Sequence, residues 1–293
     1  MQIRNEATAM RRAQELTNLV QRGSKDNQEK YMRELELLEA VYPVVQVVTR
    51  GLRPPPQILQ STFERVRHKV PISSPVTVTH LDDVEHWASQ VSHGASPQFA
   101  VTFKNKGLSI AATYVAGKLT KAITQDDGIS GINITENVKQ VSSIPHRISY
   151  LTAGFYNEVV IRYEIFCAPI AASDKTGADI EERVRKAIFA RNPNQTKSAG
   201  LQAVASDILY ADANASFANT PSDKMFALKD WGLQTNICII SHIKDLVLIV
   251  TALSTINALQ RYPQTPIEGV LIQSNKPENP DTLPSMLLYI PKH

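Results

Sequence analysis

Apolar and polar side chains alternate through residues 99–114, "FAVTFKNKGLSIAATY", which is the spacing of a β-strand with one buried face. A second alternating stretch, "KLTKAITQ" at 118–125, follows the short, glycine-containing "VAGK". A connection of this length and composition is typical of a tight hairpin turn. We therefore expect a hairpin over 99–125, in which a bulge at Gly107 would shift the alternation. The residues expected to be largely buried are Val101, Phe103, Leu108 and Ile110.

The rest of the chain mixes helical and extended periods. Helices are predicted for "LDDVEHWASQV", "GADIEERVRKAIFARNP" and "SDKMFALKDWG", the second ended by Pro193 and the third by Gly232. Strands are predicted for "EVVIRYEIFCAPI", "ASDILYADA", "IEGVLIQS" and "SMLLYIP", whereas "NICIISHIKDLVLIVTAL" is apolar throughout and fits either element. Hairpin-linked strands among unevenly spaced helices favour the α+β class, with antiparallel pairs.

The N-terminal part of the chain is polar and helical in pattern. Apolar side chains recur three and four residues apart in "NQEKYMRELELLEAVYP", at Tyr31, Leu35, Leu38 and Tyr42. Three successive prolines in "GLRPPPQ", residues 51–57, cannot continue a helix and mark a linker. We therefore predict a helical N-terminal piece over 1–52 and a main domain over 53–293.

Composition is that of a soluble globular protein. Of the 293 residues 43% are hydrophobic and 20% are charged, and the net charge of +3 is no signature of nucleic-acid binding by itself. The two cysteines, Cys167 and Cys238, lie far apart in apolar runs, which argues against a disulfide framework and against a zinc site. Neither a long apolar run nor a secretory leader occurs, so we predict a cytoplasmic protein with no membrane partner.

General catalytic motifs do not assign a function. The sequence contains no phosphate loop, nucleophile elbow or dinucleotide fingerprint, and the seven histidines lack the spacing of metal ligands. Basic stretches at 65–69 and 183–191 are typical of solvated faces, with nucleic-acid contact as the alternative. No metal site is therefore predicted.

Seven short stretches nevertheless resemble, in order, motifs of the adenylation domain of NAD-dependent DNA ligases, over about residues 25–293. They are "YMRELELLEAVYP", "FERVRHKVPISS", "KNKGLSIAATYVAGKLTKAITQDDGISGINITENVKQVSSIP", "VVIRYEIF", "FARNPNQTKSAG", "LKDWGL" and "IEGVLIQ". A single match of this length would be weak, whereas seven in the family's order make a strong resemblance. It implies a DNA-ligase-type nucleotidyltransferase fold of antiparallel sheets flanked by helices, with a truncated remnant of the domain that binds nicotinamide mononucleotide at the N-terminus.

The resemblance implies covalent catalysis by a lysine. In this family a lysine amine attacks the α-phosphate of NAD, releases nicotinamide mononucleotide and holds AMP as a phosphoramide. Gly107 fixes the register, so that Lys104 takes the place of the nucleophile. Glu164 takes the place of a ribose-binding glutamate, and Glu268 replaces an aspartate. Lys106 stands where the family has an aspartate, two residues along the same strand and therefore on the same face.

Several departures from the family's pattern imply that the chemistry is lost. Gln125 replaces an arginine, and Gln273 and Ile290 replace two lysines that would face the phosphates. One such donor can contribute on the order of 3 kcal/mol to transition-state stabilisation. A cation at position 106 would lower the pKa of a neighbouring lysine, but three lost donors are hard to offset. We therefore expect Lys104 to be a vestigial nucleophile, and Thr102, in the place of an adenine-contacting glutamate, to be structural.

Contacts with NAD and with DNA are expected to be weakened too. Gln28 and Glu29 stand where the family's small domain has a Tyr-Asp pair that grips nicotinamide, and Asn194 replaces an arginine that contacts DNA or phosphate. The candidate site therefore combines the vestigial Lys104 with five nucleotide-binding positions. These are Lys106, Gln125, Glu164, Glu268 and Gln273.

The resulting functional prediction is a catalytically degenerate relative of the ligase adenylation domain that binds DNA, a nucleotide or a replication or repair protein. The alternative is the adenylation subunit of a split NAD-dependent ligase whose oligonucleotide-binding barrel is a second subunit. This alternative is considered because the chain stops where the adenylation domain would end, so we do not expect a self-sufficient ligase. No cofactor is expected in the first case, whereas NAD and Mg²⁺ are expected in the second.

Overall fold

The computed structural model describes residues 12–17, 19, 31, 35, 63–91, 97–149, 156–167, 177–212, 220–258, 266–277 and 285–289. The chain divides into two compact units, Met1–Ser61 and Thr62–His293. The boundary predicted between 52 and 53 lies outside the described residues and stays a prediction, as do the roles of Leu38, Tyr42, Gln28 and Glu29.

In the first unit, residues 12–17 are helical. Ala13 and Leu16 are fully buried, three residues apart on one helical face. Arg12 forms an ion pair of 3.2 Å with Glu15, again at helical spacing. Leu35, which the sequence predicts on an apolar helical face, is helical and buried.

The second unit is an α+β arrangement, as predicted. Its elements in chain order are β1 Arg65–Arg67, β2 Val76–Val78, α1 Leu81–Val91, β3 Gln98–Asn105, β4 Leu108–Val115, β5 Lys118–Thr124, β6 Ser130–Ile132, α2 Thr135–Val138, β7 Glu158–Cys167, α3 Gly177–Ile188, α4 Pro193–Ser198, β8 Leu201–Ala211, α5 Pro221–Asp230, β9 Cys238–His242, α6 Ile243–Ala258, β10 Ile267–Ser274 and β11 Met286–Tyr289. The described strands form sheets of order β1-β6, β2-β11-β10-β3-β9 and β5-β4-β7-β8. The β2–β11 pair is parallel and the other strand pairs are antiparallel.

The predicted hairpin over 99–125 is only half right, because the chain changes sheets at residues 106–107. β3 belongs to the five-stranded sheet, and β4 pairs with β5 and β7 in the four-stranded sheet. At this change Gly107 packs so closely on β7 that a Cβ would lie 2.1 Å from the carbonyl oxygen of Ile165. Alternation continues on both sides of Gly107, so periodicity alone cannot separate two strands from one.

The second half of that prediction is confirmed. β4 and β5 form an antiparallel hairpin whose turn places Ala116 at φ 46° and Gly117 at φ 74°. Two consecutive positive φ values are the signature of the tight turns that match strand twist. Val101, Phe103, Leu108 and Ile110 are all buried, as expected.

One face of the five-stranded sheet forms the core with α1 and α6. Phe99, Val101 and Phe103 of β3 pack there against residues of both helices. Since side chains alternate along a strand, the intervening Thr102 and Lys104 project from the opposite face. The apolar segment "NICIISHIKDLVLIVTAL", which fits either element by sequence, contains both: first the strand β9 and then the helix α6.

The predicted helix over 177–193 differs from the structure at its end. α3 ends at Ile188, and Pro193 begins α4, where the Asn192 side chain caps the first turn. Proline is well tolerated at the first helical position because no backbone donor is needed there. The helix predicted before Gly232 is confirmed as α5, which begins with a capping box at Thr220. In the part of the chain that the structure describes, no helix is both long and apolar enough to cross a bilayer.

Candidate active site

Lys104 lies where the two larger sheets meet. It is the penultimate residue of β3 and pairs in register with Gly269 of β10. Its Nζ is 3.1 Å from Oε2 of Glu164, on β7 of the other sheet, and 3.5 Å from Oε2 of Glu268 on β10. The lysine therefore joins the two sheets through one carboxylate on each.

Local backbone irregularity aims Glu268 at this lysine. The β3–β10 register shifts between Ile267 and Gly269, so Glu268 is the additional residue of a bulge. Bulges re-aim side chains at the edges of functional clefts. Gly269 follows without a side chain, since a Cβ there would lie 2.2 Å from the carbonyl oxygen of Leu288.

Glu164 is held by a second partner. Its side chain is 2% exposed, and the hydroxyl of Ser109, opposite it on β4, lies 2.8 and 2.7 Å from the two carboxylate oxygens. A buried carboxylate is tolerated only when it is paired and hydrogen-bonded. Lys104 and Ser109 together meet that requirement.

The charge of Lys104 is stabilised despite its burial. Burial opposes the ammonium form, but attraction to Glu164 and Glu268 outweighs this effect and holds the pKa of Lys104 above its ordinary value of 10.5. A protonated amine has no lone pair for nucleophilic attack. In this arrangement Lys104 is therefore an ion-pair partner of both carboxylates.

A buried amide network fixes the backbone on both sides of Lys104. Asn236 donates from Nδ2 to the Phe103 carbonyl oxygen, 2.8 Å away, and to Oδ1 of Asn105, 2.6 Å away. Asn105 is fully buried, and its amide donates to the Pro266 carbonyl at 3.5 Å. Because these contacts hold the flanking residues, they also restrict where the Lys104 side chain can point.

Two pockets open beside Lys104. The larger, about 340 Å³, is lined by Ser74, Pro75, Thr77, Lys104, Gly107, Leu108, Ser109, Gln125, Asp126, Arg162, Glu181, Arg185, Glu268 and Leu287. The narrower, about 30 Å³, is lined by Pro75, Thr102, Phe103, Lys104, Asn105, Arg162, Glu164, Ser206, Asp207, Met225, Asn236, Leu271, Gln273 and Ser285. The first volume suits a small-molecule ligand, and the second suits about one water molecule. Lys104 and Arg162 border both.

Comparison with known proteins identifies the family. A sequence model of the NAD-dependent DNA ligase adenylation domain matches residues 60–284. The chain belongs to this family. A DNA ligase of Parabacteroides distasonis is 31% identical over 176 residues, which are 59% of this chain and 26% of the relative. A DNA ligase of Hyphomonas neptunium is 26% identical over 231 residues, 73% of this chain and 32% of the relative. The chain thus spans about a quarter to a third of these relatives.

A solved structure also resembles the chain. An archaeal ATP-dependent RNA ligase is similar with a TM-score of 0.47 and 13% sequence identity, covering 87% of this chain and 64% of that one.

The structure brings together most of the positions that the family resemblance selects. Lys104, Glu164 and Glu268 form the ion-pair cluster. Gln125 lines the larger pocket, where its Nε2 donates to the Ser74 hydroxyl at 3.0 Å, and Gln273 lines the narrower pocket. Their roles toward a nucleotide remain predictions.

Four other positions have different outcomes. Lys106 does not share a strand face with Lys104, because β3 ends at Asn105, and Lys106 lines neither pocket. Thr102 lines the narrower pocket, with a buried hydroxyl that has no partner among the described residues. Asn194 is exposed in the first turn of α4. Ile290 lies outside the described residues.

Two arginines of the larger pocket are absent from the sequence-based site. Arg162 lies two residues before Glu164 on β7, so strand alternation places both on one face. Arg185 lies on α3, in a basic stretch that the sequence interprets as a solvated face. Its position could have been inferred from the apolar ladder of Ile180, Val184 and Ile188, which defines the buried side of that helix.

Mg²⁺, which the family resemblance associates with the reaction, finds no preformed set of ligands here. Among the described residues, no group of three or more His, Cys, Asp or Glu side chains is arranged to hold a metal ion. Glu164 and Glu268 are paired with Lys104, and Asp126 is paired with Arg65 at 3.4 Å. Each of these three carboxylates therefore faces a cation of the chain in this arrangement.

Proposed function

We propose that this chain is a catalytically degenerate adenylation domain whose cleft binds an adenine nucleotide without forming a covalent adduct. The observation that carries the proposal is the cluster at Lys104. Its ammonium is paired with Glu164 and Glu268, while neutral amides occupy positions 125 and 273, where the family is expected to have phosphate-facing cations. Without those cations, charge developing on a transferring phosphoryl group lacks its main stabilisation.

Reversible binding is supported by the larger pocket. Its volume, about 340 Å³, is within the range of small-molecule sites. Its charges balance, since Lys104, Arg162 and Arg185 face Asp126, Glu181 and Glu268. A neutral pocket gives little net Coulombic attraction for a phosphate, so we expect a dissociation constant near the millimolar range, about 4 kcal/mol of binding free energy.

Intact-mass measurement tests the covalent part of this proposal. The full chain is incubated with NAD or ATP and Mg²⁺, alongside Lys104→Ala as the control. We expect no mass change in either protein. A gain of one AMP that Lys104→Ala abolishes would overturn the proposal. That result would support the second candidate, the adenylation subunit of a split ligase, in which Lys104 would be the nucleophile.

Docking to DNA or to a replication or repair protein is the remaining part of the proposal, and its support is the similarity of this chain to DNA ligases. One basic stretch is largely engaged internally: Arg65 pairs with Asp126 and Asp127, and Lys69 pairs with Glu158. We therefore expect modest DNA affinity that falls steeply with salt. Titrations with nicked and intact duplex DNA at two salt concentrations measure this affinity. Binding that does not depend on salt, or no binding, would contradict DNA docking and favour a protein partner. A cytoplasmic location and the absence of a resident cofactor belong to the same proposal.

A further inference from the structure

We propose that Arg162 and Arg185 form a two-guanidinium subsite for phosphate groups in the larger pocket. This subsite would supply cationic contacts from β7 and α3, instead of from positions 125 and 273. The inference rests on the proposed function only for the identity of the ligand as a nucleotide. Its phosphate chemistry can be tested separately.

The packing of α3 presents Arg185 to the pocket. Ile180, Val184 and Ile188 are fully buried and recur every four residues, so they form the packed ridge of this helix. Arg185 follows Val184 by one position, about 100° around the helix, on the flank of that ridge. α3 packs against β7 and β4, and Arg185 lines the pocket between these elements.

The two guanidinium groups are less committed than the Lys104 ammonium. The Arg162 Nη2 donates to the Ser73 carbonyl at 3.1 Å, while its Nε is buried without a hydrogen-bond partner among the described residues. Arg185 has no ion-pair partner within 4.0 Å in the described part of the chain. Lys104, by contrast, already contacts two carboxylates. An incoming anion therefore gains more from the arginines than from the lysine.

Ligand chemistry follows from the geometry of the donors. A guanidinium presents a planar set of N–H groups that matches two oxygens of a phosphate. The expected ligand is thus a phosphate or diphosphate group, bound beside Lys104 without replacing its carboxylate partners.

Isothermal titration of the full chain with inorganic pyrophosphate tests the subsite. We expect Arg185→Ala to weaken pyrophosphate binding about tenfold, because it removes charge-assisted hydrogen bonds. Arg183→Ala, on the same helix but outside the pocket lining, should change affinity less than about twofold, within the scatter expected of distant surface substitutions. Arg162→Lys keeps the charge and loses the planar donor set, so it should also weaken binding. Circular dichroism melts establish that each variant is folded.

The outcomes separate this inference from the proposed function. Pyrophosphate binding that is unchanged in both Arg185→Ala and Arg162→Lys, or absent from the native chain, overturns the subsite. Pyrophosphate binding that depends on the arginines supports it. Parallel titrations with AMP and adenosine then address the function: AMP that binds no better than pyrophosphate, with no binding of adenosine, would support the subsite and contradict a nucleotide ligand.

Discussion

Replacing Glu164 with glutamine should measure how strongly the cluster at Lys104 stabilises the fold. The substitution keeps the shape of the side chain and an oxygen that can accept from Ser109, but it removes the charge that faces the Lys104 ammonium at 3.1 Å. Removing one member of a buried ion pair typically costs about 3–5 kcal/mol, because the other charge stays buried. Glu268, 3.5 Å from Lys104 and 29% exposed, still offers partial compensation. We therefore expect a loss near the lower limit, about 3 kcal/mol.

Urea unfolding and thermal melting of the full chain measure this loss. For a unit of this size each kcal/mol lowers Tm by about 2–4 °C, so Tm should fall by about 6–12 °C. Glu158→Gln is the matched control, because Glu158 pairs with Lys69 at a more exposed position. An exposed pair contributes much less to stability than a buried one. If Glu164→Gln costs no more than Glu158→Gln, the assignment of Lys104 as a buried, charge-stabilised group is wrong.

Alkaline pH provides an independent measure of the same cluster. The pKa of Lys104 is raised above 10.5 in the folded chain, against burial, by Glu164 and Glu268. The stabilisation is therefore fully present below the unfolded pKa and is lost as the pH rises through the folded pKa. In Glu164→Gln the folded pKa is lower, so we expect the alkaline loss of stability to be smaller than in the native chain and to be complete at a lower pH. Coincident profiles would contradict the pairing.

Three further predictions address the sheet junction, a buried histidine and the cleft. In urea unfolding, Gly107→Ala should lose more than about 2 kcal/mol of stability, because its Cβ would lie 2.1 Å from a carbonyl oxygen. The control Gly200→Ala has open space around its Cβ but a φ of +63°, so it should lose only about 1 kcal/mol. Burial lowers the pKa of His68 below 6.5, so its NMR titration midpoint should lie below that value and stability should decrease as the pH falls below 6.5. Gln273→Lys places a second ammonium in the narrower pocket and should lower the Lys104 pKa in an NMR titration of the methylated lysine.

The sequence predicts the class of the fold and the members of the central cluster better than it predicts their connections. Lys104, Glu164 and Glu268 are distant along the chain, and only the ordered family motifs indicate that they meet. The change of sheets at Gly107 is not predicted because the shift of the apolar positions there, from Val101 and Phe103 to Leu108 and Ile110, also fits a bulge within one strand. The β-bulge at Glu268 was missed because it depends on the pairing of β10 with β3.

The pocket arginines illustrate a different limit of sequence reasoning. A basic stretch on an amphipathic helix usually faces water, and Arg185 was interpreted in that way. Its actual position depends on where the ridge of Ile180, Val184 and Ile188 docks, which is a tertiary property. At position 106, side-chain alternation along a strand predicts that Lys106 and Lys104 share a face. In the structure β3 ends at Asn105, one residue before Lys106, so they do not.

The ion pairs of Lys104 with Glu164 and Glu268 do not by themselves indicate that the lysine is a reactive nucleophile. The buried carboxylate of Glu164 must be neutralised, and Lys104 is the described cation within ion-pair distance of both Glu164 and Glu268. Removing the lysine would leave a nearly fully buried Glu164 without its charge partner, at a cost comparable with the net stability of many domains. The ion pair therefore gives Lys104 a structural role that does not depend on whether it reacts. The retained cluster is therefore evidence of family membership and of stability, and the phosphate-binding groups decide whether any nucleotide chemistry remains.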